Sequence, residues 1–222
     1  MTQPGATQRI VDSITSAITE RRLMPGTKLS EQKLADIFSV SRTLVRQALN
    51  QLARDRLVVL EPARGAFVAQ PSAEEARQVF EVRQILEAAV VRQLCPVVTE
   101  AQLRELRRHL REEEAAVRQA DVPGRTRLLA DFHLVLARMS GNEVLSQLLQ
   151  ELLTRSSLIA LMFQSSHSAE ASHAEHVAIV QALEQRDLRA AQRLTLQHLH
   201  HVEANLQLDP QAADLSTILR AS

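Results

Sequence analysis

Apolar residues recur at spacings of three and four along most of this chain, which predicts helices nearly throughout. Over 9–22, Ile10, Ile14, Ala17 and Ile18 mark one face of a first helix, ended by Pro25-Gly26. Ser30 is placed to cap a helix over 31–38, with Leu34, Ile37 and Phe38 expected to face inward. Ser39-Val40 makes a turn, and Ser41 caps a helix over 42–54 that buries Val45, Ala48, Leu49 and Leu52. Two short strands are predicted next, over 57–60 and 65–69, joined by a turn containing Arg64-Gly65.

Beyond the short Pro71-Ser72 linker the helical period continues without strand-like alternation. Six segments are predicted, over 73–94, 100–119, 124–139, 143–163, 169–185 and 188–207. Pro96, Pro123, Gly141-Asn142, the Ser165-Ser-His-Ser run and Asp187 separate them. The expected fold is therefore mainly α, a winged helix-turn-helix over 1–70 followed by an antiparallel all-α helical bundle over 73–208. The remaining 209–222 are expected to form a disordered tail.

Charge separates the same two units. The chain is formally neutral, yet residues 1–70 hold ten Lys/Arg against six Asp/Glu, and the remainder sixteen against twenty. All eight histidines lie in the second part. Aromatic residues make up 2%, with no Trp or Tyr, which argues against modules that stack single-stranded bases. The single cysteine, Cys95, excludes an internal disulfide framework and reads as a small buried apolar residue. No secretory pattern or bilayer-length apolar run occurs, so a cytoplasmic location is expected.

In a helix-turn-helix the second helix enters the major groove and its first turns meet the bases. Those turns present Arg42, Thr43 and Arg46. The two arginines share one face, and neither has an acidic residue three or four positions away on the same helix. Arginine bonds guanine O6 and N7 bidentately, and Thr43 suits a phosphate or a thymine methyl. At the wing, Arg64 and Gly65 allow close approach to a phosphate or the minor groove.

The histidines hold the chemistry of the second unit. His176 and His198 each lie eleven residues from Asp187, where the last two helices should turn, so an antiparallel hairpin sets them level. His133 would come from another helix. Three imidazoles on a rigid frame suit Zn²⁺ or a similar divalent ion. His173 and His201 are also equidistant from Asp187, so spacing alone does not choose between the pairs, and any of these groups can instead be a core or surface histidine. His109, His167 and His200 read as solvated. A metal-dependent enzyme using the histidines and a bound water is the rival reading, against which no carboxylate is clearly placed as general base.

Leu29-Ser-Glu-x-x-Leu-Ala, Val40-Ser-Arg-Thr-x-Val-Arg-x-Ala-Leu-x-x-Leu and Arg64-Gly-Ala-Phe-Val resemble the DNA-binding domain of GntR-type bacterial transcription regulators. The resemblance implies operator contacts from Arg42, Thr43, Arg46 and Gly65. Leu44 and Gln47 stand where a proline and a glutamate are usual, and Gln32 where one subfamily has a DNA-contacting arginine. Glu81-Val-Arg-x-x-Leu-Glu, Phe132-His-x-x-Leu-x-x-x-x-Gly-Asn, Glu175-His-x-x-Ile-Val and then His198 are similar to the FCD effector domain of the FadR-like branch. Six helices point to its VanR-like division. That similarity implies metal ligation by His133, His176 and His198, with an acidic ligand four residues before His133. Leu129 occupies that place, and Asp131 would point about 200° around the helix. It also implies an effector-facing role for Arg83, whose alternative is an ion pair with Glu87. The function so implied is that of a dimeric repressor, not an enzyme, which binds an inverted-repeat operator and is released by a small organic acid. A regulator with a purely structural metal, or without an effector, is the alternative.

Overall fold

The computed structural model describes residues 5–20, 22–163, 169–206 and 208, apart from the side chains of 122 and 123. The expected tail over 209–222 and His167 lie outside the described residues. The first unit comprises α1 (Ala6–Thr19), β1 (Lys28–Leu29), α2 (Glu31–Phe38), α3 (Arg42–Arg54), β2 (Val58–Glu61) and β3 (Gly65–Val68). The serine oxygens of Ser30 and Ser41 accept from the amides of Lys33 and Leu44, so both caps form as the sequence suggests. Between them Ser39 takes the left-handed conformation, φ 53°, which turns α3 sharply off α2. Ile10, Ile14 and Ile18 of α1 meet Val45, Leu49 and Leu52 of α3 in one buried cluster. Ile37, expected inside, is 72% exposed; the buried face of α2 centres on Ala35, with Leu34 and Phe38 at its margin.

The wing is a three-stranded antiparallel sheet in the order β1-β3-β2. The two-residue β1, pairing Leu29 with Ala66, was too short for any period to reveal. Gly65 sits at φ +104°, a conformation that a side chain would strain.

Six helices follow among the described residues: α4 (Ala73–Leu94), α5 (Glu100–Arg118), α6 (Val122–Met139), α7 (Glu143–Met162), α8 (Ala169–Glu184) and α9 (Leu188–Ala204). Side-chain caps at Ser72, Asn142 and Asp187, and a capping box between Thr99 and Gln102, start four of them. The core runs from Val91 and Leu94 through Leu106, Phe132 and Leu149 to Ile179 and Leu183, with Cys95 buried in it. The two units are not separate bodies in packing terms. Leu158 of α7 is fully buried in the cluster of the winged unit, and α1 lies against α6 and α7.

Candidate functional site

The bundle brings His133, His176 and His198 to one place. His133 comes from the middle of α6, and His176 and His198 face each other across the α8–α9 hairpin with ring centroids 4.7 Å apart. All three are buried, and one ligating atom of each lies within 4.8 Å of the other two. Phe132 stacks on His176 at 3.9 Å and fixes its plane. His173 and His201, the other equidistant pair, face away into carboxylates.

Each imidazole has its Nδ1 claimed by a different glutamate. His133 Nδ1 lies 2.6 Å from Glu87, His198 Nδ1 2.6 Å from Glu175, and His176 Nδ1 3.0 Å from Glu113. An ionised carboxylate only accepts, so each Nδ1 must donate, which leaves each neutral ring with a lone pair on Nε2. Burial holds His133 below its ordinary value and pushes His176 and His198 down to about 4, so all three are neutral near pH 7. His133 Nε2 and His198 Nε2 then stand 3.3 Å apart with no proton between them. His176 Nε2 is buried without a hydrogen-bond partner among the described residues.

Lone pairs converging in a buried place are repulsive unless something positive lies among them. Two nitrogens each about 2.0–2.1 Å from a tetrahedral zinc would be about 3.3 Å apart, so this donor set fits that ion. The three glutamates are the part that sequence reasoning missed. Burial alone would raise Glu87 and Glu113, but Arg83 and His133 around the first, and His109 and His176 around the second, hold both well below the ordinary carboxylate value. His109, expected in solvent, is buried, with Nε2 3.0 Å from the Leu128 carbonyl and 3.3 Å from Glu113. Its i,i+4 spacing to Glu113 was the available signal. His200 is exposed, as expected.

A cavity of about 370 Å³ opens beside the histidines, between α4, α6, α7, α8 and α9. Arg83 lines it and is also ion-paired with Glu87. Its Nε and Nη2 lie 2.9 and 2.8 Å from Glu87 Oε1, and Nη1 donates to Ser156 at 3.3 Å. Leu129 lines the cavity four residues before His133. Asp131 faces elsewhere, into a groove against α1 that also holds Glu20 and Arg127, and burial raises its pKa.

In the winged unit Arg42, Thr43 and Arg46 are exposed on the outer face of α3. The arginines are not unpaired. Glu31, at the start of α2, accepts from Arg46 Nε at 2.9 Å and Nη2 at 2.8 Å, and from Arg42 Nη2 at 3.4 Å. Spacing along α3 alone does not reveal this partner, which the turn at Ser39 brings across from α2. Arg64 pairs with Glu61 and lies 5.3 Å over the Phe67 ring, which holds it at the wing beside Gly65. Gln32 is exposed and bonded to Asp36.

Residues 6–68 match the model for the bacterial regulatory proteins of the gntR family, and residues 78–201 match the FCD domain. The chain belongs to the GntR family, in its FCD-containing form. The HTH-type transcriptional repressor RspR of Escherichia coli K12 is 28% identical over 207 residues, 93% of this chain and 90% of that protein. The HTH-type transcriptional regulator LutR of Bacillus subtilis is 30% identical, covering 84% and 94% of the two chains. A GntR regulator from Rhodococcus sp. RHA1, described as a putative transcriptional regulator, superposes with a TM-score of 0.78 at 26% identity over 89% of this chain and 95% of that one. Escherichia coli McbR/YncC shares the fold, with a TM-score of 0.82 at 19% identity over 91% and 97%. GntR proteins of this type are transcription regulators, which sets aside the metal-dependent enzyme. No helix among the described residues is long and apolar enough to cross a membrane.

Proposed function

We propose that this GntR protein is a cytoplasmic, homodimeric repressor whose bundle senses a small organic acid at a divalent metal, zinc fitting best. Residues 1–70 would read the operator and 73–208 would control it. Arg42, Thr43 and Arg46 enter the major groove, while Arg64 and Gly65 approach the backbone or minor groove; a two-fold dimer reads an inverted repeat. His133, His176 and His198 hold the ion, which supplies a Lewis-acidic anchor for a carboxylate. The supporting observation is the convergence of three unprotonated Nε2 atoms on the floor of the cavity. Arg83 holds Glu87 against His133 and offers its remaining N–H edge to the cavity, so it contributes to both ends of the site.

The route to DNA lies in shared walls. Helices α6 and α7 form one side of the cavity, and the same helices carry α1, with Leu158 inside the winged unit's core. An acid that fits the cavity better in one placement of α1 than in another shifts the spacing of two recognition helices, and only that difference in affinity does work. A thermal-shift screen of divalent metals and organic acids, with and without chelator, tests this reading. Metal-dependent stabilisation by an acid, paired with loss of operator binding in a gel shift, is expected. Stabilisation by metal alone, with no acid giving a further shift, would favour a structural metal instead.

A further inference from the structure

The cavity has a second cation at its other end. Arg125, in the first turn of α6, lines the cavity, is only partly exposed, and its guanidinium has no hydrogen bond or ion pair with any described residue. Arg83 differs from it, being ion-paired with Glu87 and bonded to Ser156. Arg125, Leu129 and His133 stand at i, i+4 and i+8, and all three line the same space. Eight residues span about 12 Å of helix axis, a gap that the long Arg125 side chain and an elongated ligand together can bridge. Between these ends Leu129, Ala130 and Leu153 give the cavity an apolar strip, beside the hydroxyl-bearing Thr126, Ser157 and Ser172.

We infer that the effector is a dianion, a linear dicarboxylate of about four to six carbons, one carboxylate at the histidine-bound metal and the other on Arg125. This assignment rests on the metal-and-acid reading of the site. A guanidinium without a carboxylate of its own is the group that binds an incoming one bidentately at least cost, because no existing pair has to be broken. Leu129 strengthens the case. An acidic residue there would put negative charge midway along the ligand's path, whereas leucine packs against methylene groups. Glu170 is the acid that also lines the cavity; it sits in the first turn of α8, where the helix dipole favours it, and it has a partner of its own. A volume of about 370 Å³ lies at the small end of ligand cavities and excludes long acyl chains or nucleotide conjugates.

Isothermal titration of the zinc-loaded full chain with chain-length pairs tests this: succinate against butanoate, glutarate against pentanoate, adipate against hexanoate. At least one dicarboxylate is expected to bind about 10-fold or more tightly than its monocarboxylate partner. Arg125→Gln should erase that margin and leave the monocarboxylate affinities unchanged, and Arg125→Lys should keep part of it. Arg125 is partly exposed, so equal melting temperatures of the variants without ligand serve as the folding control. Equal binding of both members of every pair, or a margin that survives Arg125→Gln, overturns the assignment of Arg125 and leaves the organic-acid site standing. If no acid of either series binds the zinc-loaded protein, the effector reading falls and the Arg125 assignment falls with it.

Discussion

Two clusters of ion pairs, each joining arginine to glutamate, sit in the two different units of this molecule. At the DNA end, Glu31 gathers Arg42 and Arg46 at the surface, with the arginine side chains more than 60% exposed. In the bundle, Arg83, Glu87 and His133 form a chain in which every side chain is at most 6% exposed. Exposed pairs are weak and exchange partners at little cost, which suits arginines proposed to leave a carboxylate for DNA. Buried pairs cannot be given up, because each charge left behind stays desolvated. The first cluster is suited to rearranging and the second to holding the His133 imidazole still.

The widest gap between the two should appear in stability. Glu87→Ala leaves the Arg83 guanidinium buried without its carboxylate and frees His133 Nδ1, a change of about 3–5 kcal/mol. For a chain of this size, that lowers the melting temperature on the order of 10 °C in circular dichroism. Glu31→Ala should shift it by no more than about 3 °C. Similar shifts for the two would mean that burial does not set the clusters apart.

Metal should act on the second cluster alone. Zinc at about 100-fold above its Kd adds about 2.7 kcal/mol to the stability of the folded form, and a chelator should remove it. His176→Ala should abolish the zinc-dependent rise in melting temperature while leaving DNA binding by the apo form intact. A full zinc response in that variant would show that the ion sits elsewhere.

How far these clusters could be seen beforehand follows from which physical rule places each one. Helical period and caps are local, so Ser30, Ser41, Asn142 and Asp187 marked element starts correctly, and most predicted boundaries lie within three residues of those observed. The level pairing of His176 and His198 follows from a hairpin with a known turn, which is also nearly local. The carboxylates came from further away. Glu87, Glu113 and Glu175 reach their histidines from other helices, and nothing in a 3.6-residue period tells a glutamate on a bundle's inner face from one on its outer face. Ile37 failed for a related reason: α2 is short and buries only a narrow strip around Ala35, so an apolar residue beside that strip remains in water. Glu31 was hidden by the turn at Ser39, which places α2's first residue over α3.

On the DNA side the main effect is on affinity. Arg46→Ala should weaken operator binding about 10- to 100-fold in gel-shift titration and relax base preference at one position of each half-site. A uniform loss on operator and scrambled DNA alike would instead make Arg46 a phosphate contact.

The smallest and most informative change is Glu31→Gln, because it removes the carboxylate without touching an arginine. Glu31 is held below the ordinary carboxylate value by its hydrogen bonds to Arg46 in the first place and to Arg42 after it. With a depressed folded-state value, its contribution is present above the unfolded carboxylate value and fades only as pH falls below it, so the comparison belongs near neutral pH. Bound to both guanidiniums, the carboxylate lowers their attraction for any phosphate and aligns Arg46 for a directed contact. Removing it should raise affinity for scrambled duplex a few-fold and steepen its salt dependence by up to about one unit of slope, with a smaller change on the operator. The ratio of specific to non-specific binding then falls although the protein carries more effective positive charge. Unchanged ratio and slope, measured by fluorescence anisotropy from 50 to about 200 mM salt, would reduce Glu31 to a surface ion pair. A fall in that ratio would mean that the loose cluster contributes through what it withholds from non-specific DNA, whereas the buried one contributes through what it fixes in place.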